Sequence, residues 1–349
     1  MKKPRPPFGS HRSRPPGRPR VVLTACCGAA VALAATASLA EPAEAAWSCP
    51  DGPFPTPVPD RAKVTRIDNA IPLDQFNLFG ALDANVEGPV WRNGALYISE
   101  FGAGTNPPPT RVIQVKGNKP GVAYLADAGT NGLAVDSAGR LYGASHKVGG
   151  IVRLGQAGEQ PKIILDRFKG LRFNAPNDLT IRSDGTIYFT DPTWQAPVPP
   201  PQPKTRVYRI APGAKAATVV DEQREQPNGI TSSPDEKSLY VASLAGLYKY
   251  RVAADGTVGA PVRFAPQVAG SDGMVADCAG NLYVTSGDVI VLNPAGAEIG
   301  RLPLPAGAGL ATNLAFGGSG RTTLFITAMG PGTARGVFKV ELLVPGLPY

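Results

Sequence analysis

Asn131-Gly132-Leu133-Ala134-Val135-Asp136-Ser137-Ala138-Gly139-Arg140-Leu141-Tyr142 decides the fold, because its pattern recurs six times along the chain. A polar amide or acid opens each copy. A short apolar run comes next, and a turn then leads into an apolar-aromatic pair. The other copies run from Glu87 to Tyr97, Asn177 to Tyr188, Asn228 to Tyr240, Asp272 to Tyr283 and Asn313 to Phe325. Their aromatic residues lie 45, 46, 52, 43 and 42 residues apart. A period of about 40 to 50 residues, made of short strands, marks a β-propeller with one blade per copy. In the second copy, residues 133–136 form the innermost strand, 137–140 the hairpin turn and 141–145 the second strand, with 151–154 and 162–165 completing the blade. Alternation of period two between turn residues signals antiparallel pairing. The expected fold is all-β: a six-bladed β-propeller of four antiparallel strands per blade over residues 62–349. A strand near Val337 paired with one near Val64 closes the ring and leaves no long exposed edge. Helix is expected to be close to absent.

The residue that opens each copy is also the functional candidate. Glu87, Asn131, Asn177, Asn228, Asp272 and Asn313 precede their own aromatic by 10, 11, 11, 12, 11 and 12 residues. An isolated Asn228-Gly229 is ordinarily a hairpin turn. Here the turns lie elsewhere, at Gly139, Gly185, Pro234-Asp235 and Gly280. The polar residue instead stands where the chain enters the innermost strand, which lines the central channel of a propeller. Six oxygen donors, two of them acidic, then face one axis. Such a set suits a hard divalent cation, Ca²⁺ above all, which takes about six to eight oxygen ligands. A metal in the central channel is therefore expected, with Asn131 and Asn313 at its rim. Zinc is disfavoured, because the chain beyond residue 45 has one His and two Cys. A second ring, on the same face, lies just past the second strands: Glu100, His146, Asp191, Ser243 and Ser286. With neither a Gly-x-Ser-x-Gly elbow nor a Walker-type phosphate loop, any catalysis is expected to be metal-assisted.

Residues 1–45 have the character of a signal peptide. Seven basic side chains and no acid occupy the first 20 positions, and 21–40 are small, apolar and uncharged. Cleavage is expected after Ala40 or at Ala43-Glu44-Ala45, giving an exported protein, periplasmic or secreted. An uncleaved leader is the one expected route to a membrane. Leu23-Thr24-Ala25-Cys26 also resembles a lipoprotein box. The whole chain has 35 Lys and Arg against 27 Asp and Glu, a net charge of +8. Seven of the basic residues belong to the first 20 positions, so the rest is nearly balanced and carries no nucleic-acid footprint. Residues 46–61 form a Pro-rich arm. Cys49 in that arm and Cys278 remain after cleavage. An oxidising compartment permits their pairing, and both the bonded and the free states stay open. The Pro-rich stretch 195–204 is either a stiff connector or a lid.

Several phrases resemble the senescence marker protein/gluconolactonase (regucalcin-like) family over about residues 80–330. They are Glu87-Gly88-Pro89-Val90-Trp91, Asn174-Ala175-Pro176-Asn177-Asp178, Tyr188-Phe189-Thr190-Asp191-Pro192, Pro227-Asn228-Gly229, Asp272-Gly273-Met274 and Asn313-Leu314-Ala315-Phe316. The resemblance implies a propeller hydrolase with one divalent metal. It implies Glu87, Asn177, Asn228 and Asp272 as metal ligands, Asn177 also as a substrate contact, and Asp272 as catalytic base or nucleophile. Diisopropylfluorophosphatase, a related six-bladed hydrolase, has a comparable donor set. Where the animal lactonase has an Arg, two residues before the Asn matched by Asn177, this chain has Ala175, so sugar-lactone specificity is not implied. Ser145-His146 resembles the bacterial gluconolactonase branch. The expected substrate is a small lactone or ester, contacted by His146, Asn131, Glu100 and Asp191. A phosphotriesterase-like hydrolase and a non-catalytic ligand-binding propeller with a structural metal are the alternatives.

Overall fold

Six antiparallel sheets of four strands succeed one another along the chain, as the repeat predicts. The computed structural model describes residues 48–72, 74, 76, 85–102 and 105–347; the expected signal peptide lies outside them. Blades 1 to 6 span residues 86–125, 130–165, 179–221, 230–263, 274–302 and 310–341, and Thr65–Arg66 supplies the outermost strand of blade 6. Closure is antiparallel: Thr65 lies opposite Lys339 and Arg66 opposite Phe338, and the Ile67 N–H donates to Val337 O at 2.8 Å. Each blade thereby finds a neighbour on both faces and the ring has no open end.

The repeat aromatic holds the blades face to face. Tyr97, Tyr188 and Tyr283 are fully buried. One apolar cluster joins Val90 and Tyr97 of blade 1 to Leu133 and Leu141 of blade 2. Another joins Tyr283 of blade 5 to Phe316 and Phe338 of blade 6, where the Tyr283 and Phe316 rings meet edge to face at 5.2 Å. Burying a large side chain in such a cluster stabilises the fold by about 1.5–3 kcal/mol.

Among the described residues the only helix is a 3₁₀ turn, Gly332–Ala334. The Pro-rich arm is irregular, yet it is fixed in place. Leu343 N–H donates to Pro57 O at 2.9 Å, and Cys49 forms a disulfide with Cys278, 229 residues away. Cys278 N–H also donates to Pro345 O at 2.8 Å, so arm, blade 5 and C-terminal segment are joined at one place. A hairpin of Arg167–Phe168 and Leu171–Arg172, which the repeat does not predict, precedes blade 3. It anchors the 195–204 stretch: the Gln202 side-chain amide donates to Phe168 O, Leu171 O and Arg172 O at 3.0–3.2 Å.

A cross-link closing so long a loop restricts the unfolded chain more than the native one, by about 2–4 kcal/mol. Cys49→Ser with Cys278→Ser is therefore expected to lower the thermal midpoint by several degrees, read by scanning fluorimetry, with the circular dichroism of the folded protein unchanged. An unchanged midpoint would show that the arm is held by its other contacts alone.

Candidate metal centre

The residue next to each opening position draws the chain to the axis. Gly88, Gly132, Gly229 and Gly273 stand directly after Glu87, Asn131, Asn228 and Asp272. A Cβ on Gly88 would lie 2.2 Å from Asn131 O, and one on Gly229 2.2 Å from Asp272 O. Only glycine lets neighbouring innermost strands approach this closely. Hydroxyls two residues past the repeat aromatics then clip blade to blade. Thr190 Oγ1 donates to Asn228 O at 2.7 Å, Thr285 Oγ1 to Thr312 O at 3.0 Å, and Ser99 and Thr130 share a 3.0 Å bond.

Two blades depart from this pattern. In blade 3 the glycine position holds Asp178. In blade 6 the bonding pattern moves the phase by one residue: Thr312 takes the opening position, with its hydroxyl donating to Val86 O at 2.7 Å, and Asn313 takes the glycine position. The Cβ of an alanine at 273 would lie 2.2 Å from the Asn313 side chain. The expectation that Asn313 lies at the rim is thus corrected. The repeat spacing placed it one residue out of phase, because the blade 6 turn is longer.

Three carboxyl groups meet at the axis. Glu87 lies within electrostatic reach of Asp272 and Asp178, and Asp272 within reach of Asp178. The Asn228 side chain favours the charged form of the Asp272 carboxyl, and the Asn313 side chain those of Glu87 and Asp178. Asp178 Oδ1 accepts the Leu179 N–H at 2.9 Å, and its Oδ2 accepts the Ile230 N–H at 3.3 Å. Burial, then the charge of Asp178, pushes Asp272 up to about 8. Burial pushes Asp178 to about 7. Glu87 is raised by burial first and by Asp272 and Asp178 after it. The groups acting on these carboxyls are one another, the two amides and backbone N–H groups, with no Lys or Arg among them.

A buried acid cluster without a basic partner is costly when ionised, so its chemistry calls for a cation. The donors are all oxygens, which excludes a soft metal. Among the described residues no three His, Cys, Asp or Glu side chains form a ligand group by themselves; the set has two carboxylates, Glu87 and Asp272, completed by amides. Asn177 occupies the opening position of blade 3. It is buried, its N–H donates to Thr190 O at 2.9 Å and its carbonyl accepts the Gly132 N–H at 2.7 Å. Asn131 holds the same place in blade 2 and is also buried. Within the channel, residues of all six blades, among them Pro89, Leu133, Ile230 and Met274, leave a cavity of about 20 Å³ beside Asp178 and Asn313. That is room for about one water. A far larger groove of about 700 Å³, lined by Arg182, Glu236 and Arg251, lies at the blade 3–4 turns and contains none of these residues.

The second ring consists of residues already bonded within the scaffold. Glu100 is buried between Arg111, at 2.6 Å, and Arg335, at 3.1 Å. Asp191 accepts the N–H groups of Asn174 and Ala175 at 3.0 and 2.9 Å, so it shapes the loop that carries Asn177. Ser243 donates to Gly246 O at 3.2 Å and Ser286 to Ala269 O at 3.4 Å. His146 is fully buried; its Nε2 lies 3.0 Å from Pro108 O and 3.1 Å from Thr110 Oγ1. Burial lowers it to about 4, so it is neutral at pH 7.

Comparison with known proteins decides the family. The model of the SMP-30/gluconolactonase/LRE-like region matches residues 87–330. The chain belongs to this family. It is 28% identical to a gluconolactonase of Zymomonas mobilis over 69% of this chain and 75% of that one. It is 30% identical to the lactonase drp35 of Staphylococcus haemolyticus over 48% of this chain and 54% of that one. A solved gluconolactonase of Xanthomonas campestris superposes with a TM-score of 0.68 at 27% identity, over 86% of this chain and 99% of that one. The family match begins at Glu87, the first residue of the axial set.

Asp178 is the site residue that the repeat alone misses, because the spacing rule selects Asn177 beside it. The one signal was an acid where four other copies have glycine. In metal-free protein the three raised carboxyls hold protons that the unfolded chain, with carboxyls near about 4, has lost. Their contribution to stability is present at low pH and disappears as pH rises through about 7 to 8. With chelator present, the thermal midpoint is expected to fall between pH 5 and pH 8.5, and to fall less in Asp272→Asn. Adding Ca²⁺ at pH 8 is expected to restore it. Equal pH profiles for the two proteins would contradict an uncompensated acid cluster.

Proposed function

We propose that this protein is a metal-dependent lactonase, hydrolysing a small lactone to its hydroxy acid. The observation that carries this is the pair of buried axial carboxyls, Glu87 and Asp272, with Asp272 held by the Asn228 amide, in a chain of the gluconolactonase family. The names of the relatives, gluconolactonase and lactonase, support the reaction class. The donor set fits a hard divalent cation, Ca²⁺ by preference, held by Glu87, Asn177, Asn228 and Asp272. When bound, it supplies a Lewis acid that polarises the lactone carbonyl and favours the oxyanion.

The protein's own groups do the rest. With the cation held, Asp272 is an ionised carboxylate at the site and serves as the base. It takes a proton from water as the water oxygen bonds to the carbonyl carbon. The ring C–O bond then breaks, and the proton passes to the departing alkoxide. Glu87 keeps the site acidic and orients it. Asn228 lies beside Asp272 and favours its charged form. Asn177 lies beside the axis on the loop that Asp191 shapes, in position to contact substrate. His146 is buried and neutral, which suits it to supporting the Pro108 and Thr110 wall rather than to proton transfer.

We also infer that residues 1–45 direct export and are removed. The basic front, the apolar run and the Cys49–Cys278 bond support this. The mass of the protein recovered outside the cytoplasm tests it: an unprocessed N-terminus would refute cleavage.

A hydrolysis screen over sugar lactones, aliphatic lactones, aryl esters and phosphotriesters, with and without chelator, tests the reaction class. Lactone turnover abolished by chelator is expected. Phosphotriester turnover alone, or none at all, would replace the proposal with the corresponding alternative. Asp272→Asn is expected to lower kcat by about 10² or more at saturating Ca²⁺. Glu87→Gln is expected to act through metal affinity, so that excess Ca²⁺ recovers part of its activity. Near-normal turnover in Asp272→Asn would make Asp272 a ligand only.

A further inference from the structure

Asn313 stands outside the ligand set proposed above, yet its side chain lines the axial cavity beside Asp178. Its amide orientation is fixed: Oδ1 accepts the Leu314 N–H at 2.8 Å. Both Nδ2 hydrogens are therefore free to donate. Asn313 lines the same axial cavity as Asp178, and its amide favours the charged forms of the Glu87 and Asp178 carboxyls. Asp178 is held in the same manner, with Oδ1 on the Leu179 N–H at 2.9 Å and Oδ2 on the Ile230 N–H at 3.3 Å. The two residues occupy equivalent places in blades 3 and 6, half a turn apart around a six-bladed ring. The two side chains therefore stand on opposite sides of the channel, both lining the axial cavity.

We infer that Asn313 and Asp178 form a cross-axis positioning pair for the metal centre, in which Asn313 fixes the Glu87 carboxylate and Asp178 adds a third negative charge that strengthens divalent binding. This rests on the metal centre proposed above. Without Asn313, the bond left to the Glu87 carboxylate is a long one, 3.3 Å from the Gly88 N–H, and two like charges would push it away from the axis. The amide between Glu87 and Asp178 offsets part of their repulsion. Asp178 is tied to two backbone N–H groups, so it acts through its field, which burial strengthens.

The test uses the full protein stripped with chelator, titrated with Ca²⁺ by calorimetry, with thermal midpoints and with kcat and KM at saturating Ca²⁺. Asn313→Leu removes both donors at similar volume; Asp178→Asn removes the charge at the same shape. Each is expected to weaken Ca²⁺ binding by about 10-fold or more, the usual scale for residues that support metal ligands. KM should be unchanged, and the midpoint gained on adding Ca²⁺ should shrink. A purely structural role would lower the midpoint equally with and without Ca²⁺ and leave the dissociation constant unchanged, which overturns the inference. Should Asn313→Leu not fold, the isosteric Asp178→Asn decides alone. Wild-type protein that binds no divalent ion would refute the metal centre itself. Wild-type binding matched by both variants would refute only the pair.

Discussion

Three carboxyl groups buried together, with no basic side chain among the described residues acting on them, are the constraint around which this molecule is organised. In water such a cluster disperses; buried, it must hold protons, take up a cation, or open the fold. The scaffold prevents the third outcome. Glycines at 88, 132, 229 and 273 bring the strands close, and threonine and serine hydroxyls bond blade 1 to 2, 3 to 4, 5 to 6 and 6 to 1. A site of this kind is strained in its charge rather than in its backbone. Its free energy is then available for binding a cation when the protons leave.

Closure supports this arrangement from a distance. Antiparallel pairing of Thr65–Arg66 with the last strand makes the ring continuous, so repulsion at the axis cannot be relieved by spreading one gap between blades. The disulfide between arm and blade 5, and the C-terminal segment bonded at Cys278, add to the same restraint. Polar residues at the ends of the second strands contribute differently. Glu100, Asp191, Ser243 and Ser286 bond to groups of the scaffold and set the loops around the channel mouth. Their regular spacing reflects a shared structural task as much as a shared chemical one.

The equivalence of Asp178 and Asn313 shows how a repeat protein acquires an asymmetric site. Four copies keep glycine at this position and two opposed copies do not. The two exceptions meet across the axis and join Glu87 to the rest of the cluster. A mutation in either would be judged a core change by burial alone, although both residues bear on the charge of the axial carboxyls.

What the sequence by itself determined is the ring: blade count, strand order, closure and the residues that open each innermost strand. These come from a period of apolar and turn residues, and such a period is a local property that survives any rearrangement of side chains. Glu87, Asn228 and Asp272 were legible for the same reason, since strand phase alone turns them to the axis. Tertiary structure decided the rest. Whether Cys49 meets Cys278 depended on the path of the arm. Whether Asp178 or Asn177 bonds within the cluster depended on one residue of phase. Asn313 moved from rim to centre because the blade 6 pairing starts one residue earlier than the aromatic spacing implies. Each of these turns on contacts between blades whose members are far apart in the chain, and no spacing rule within one repeat contains that information.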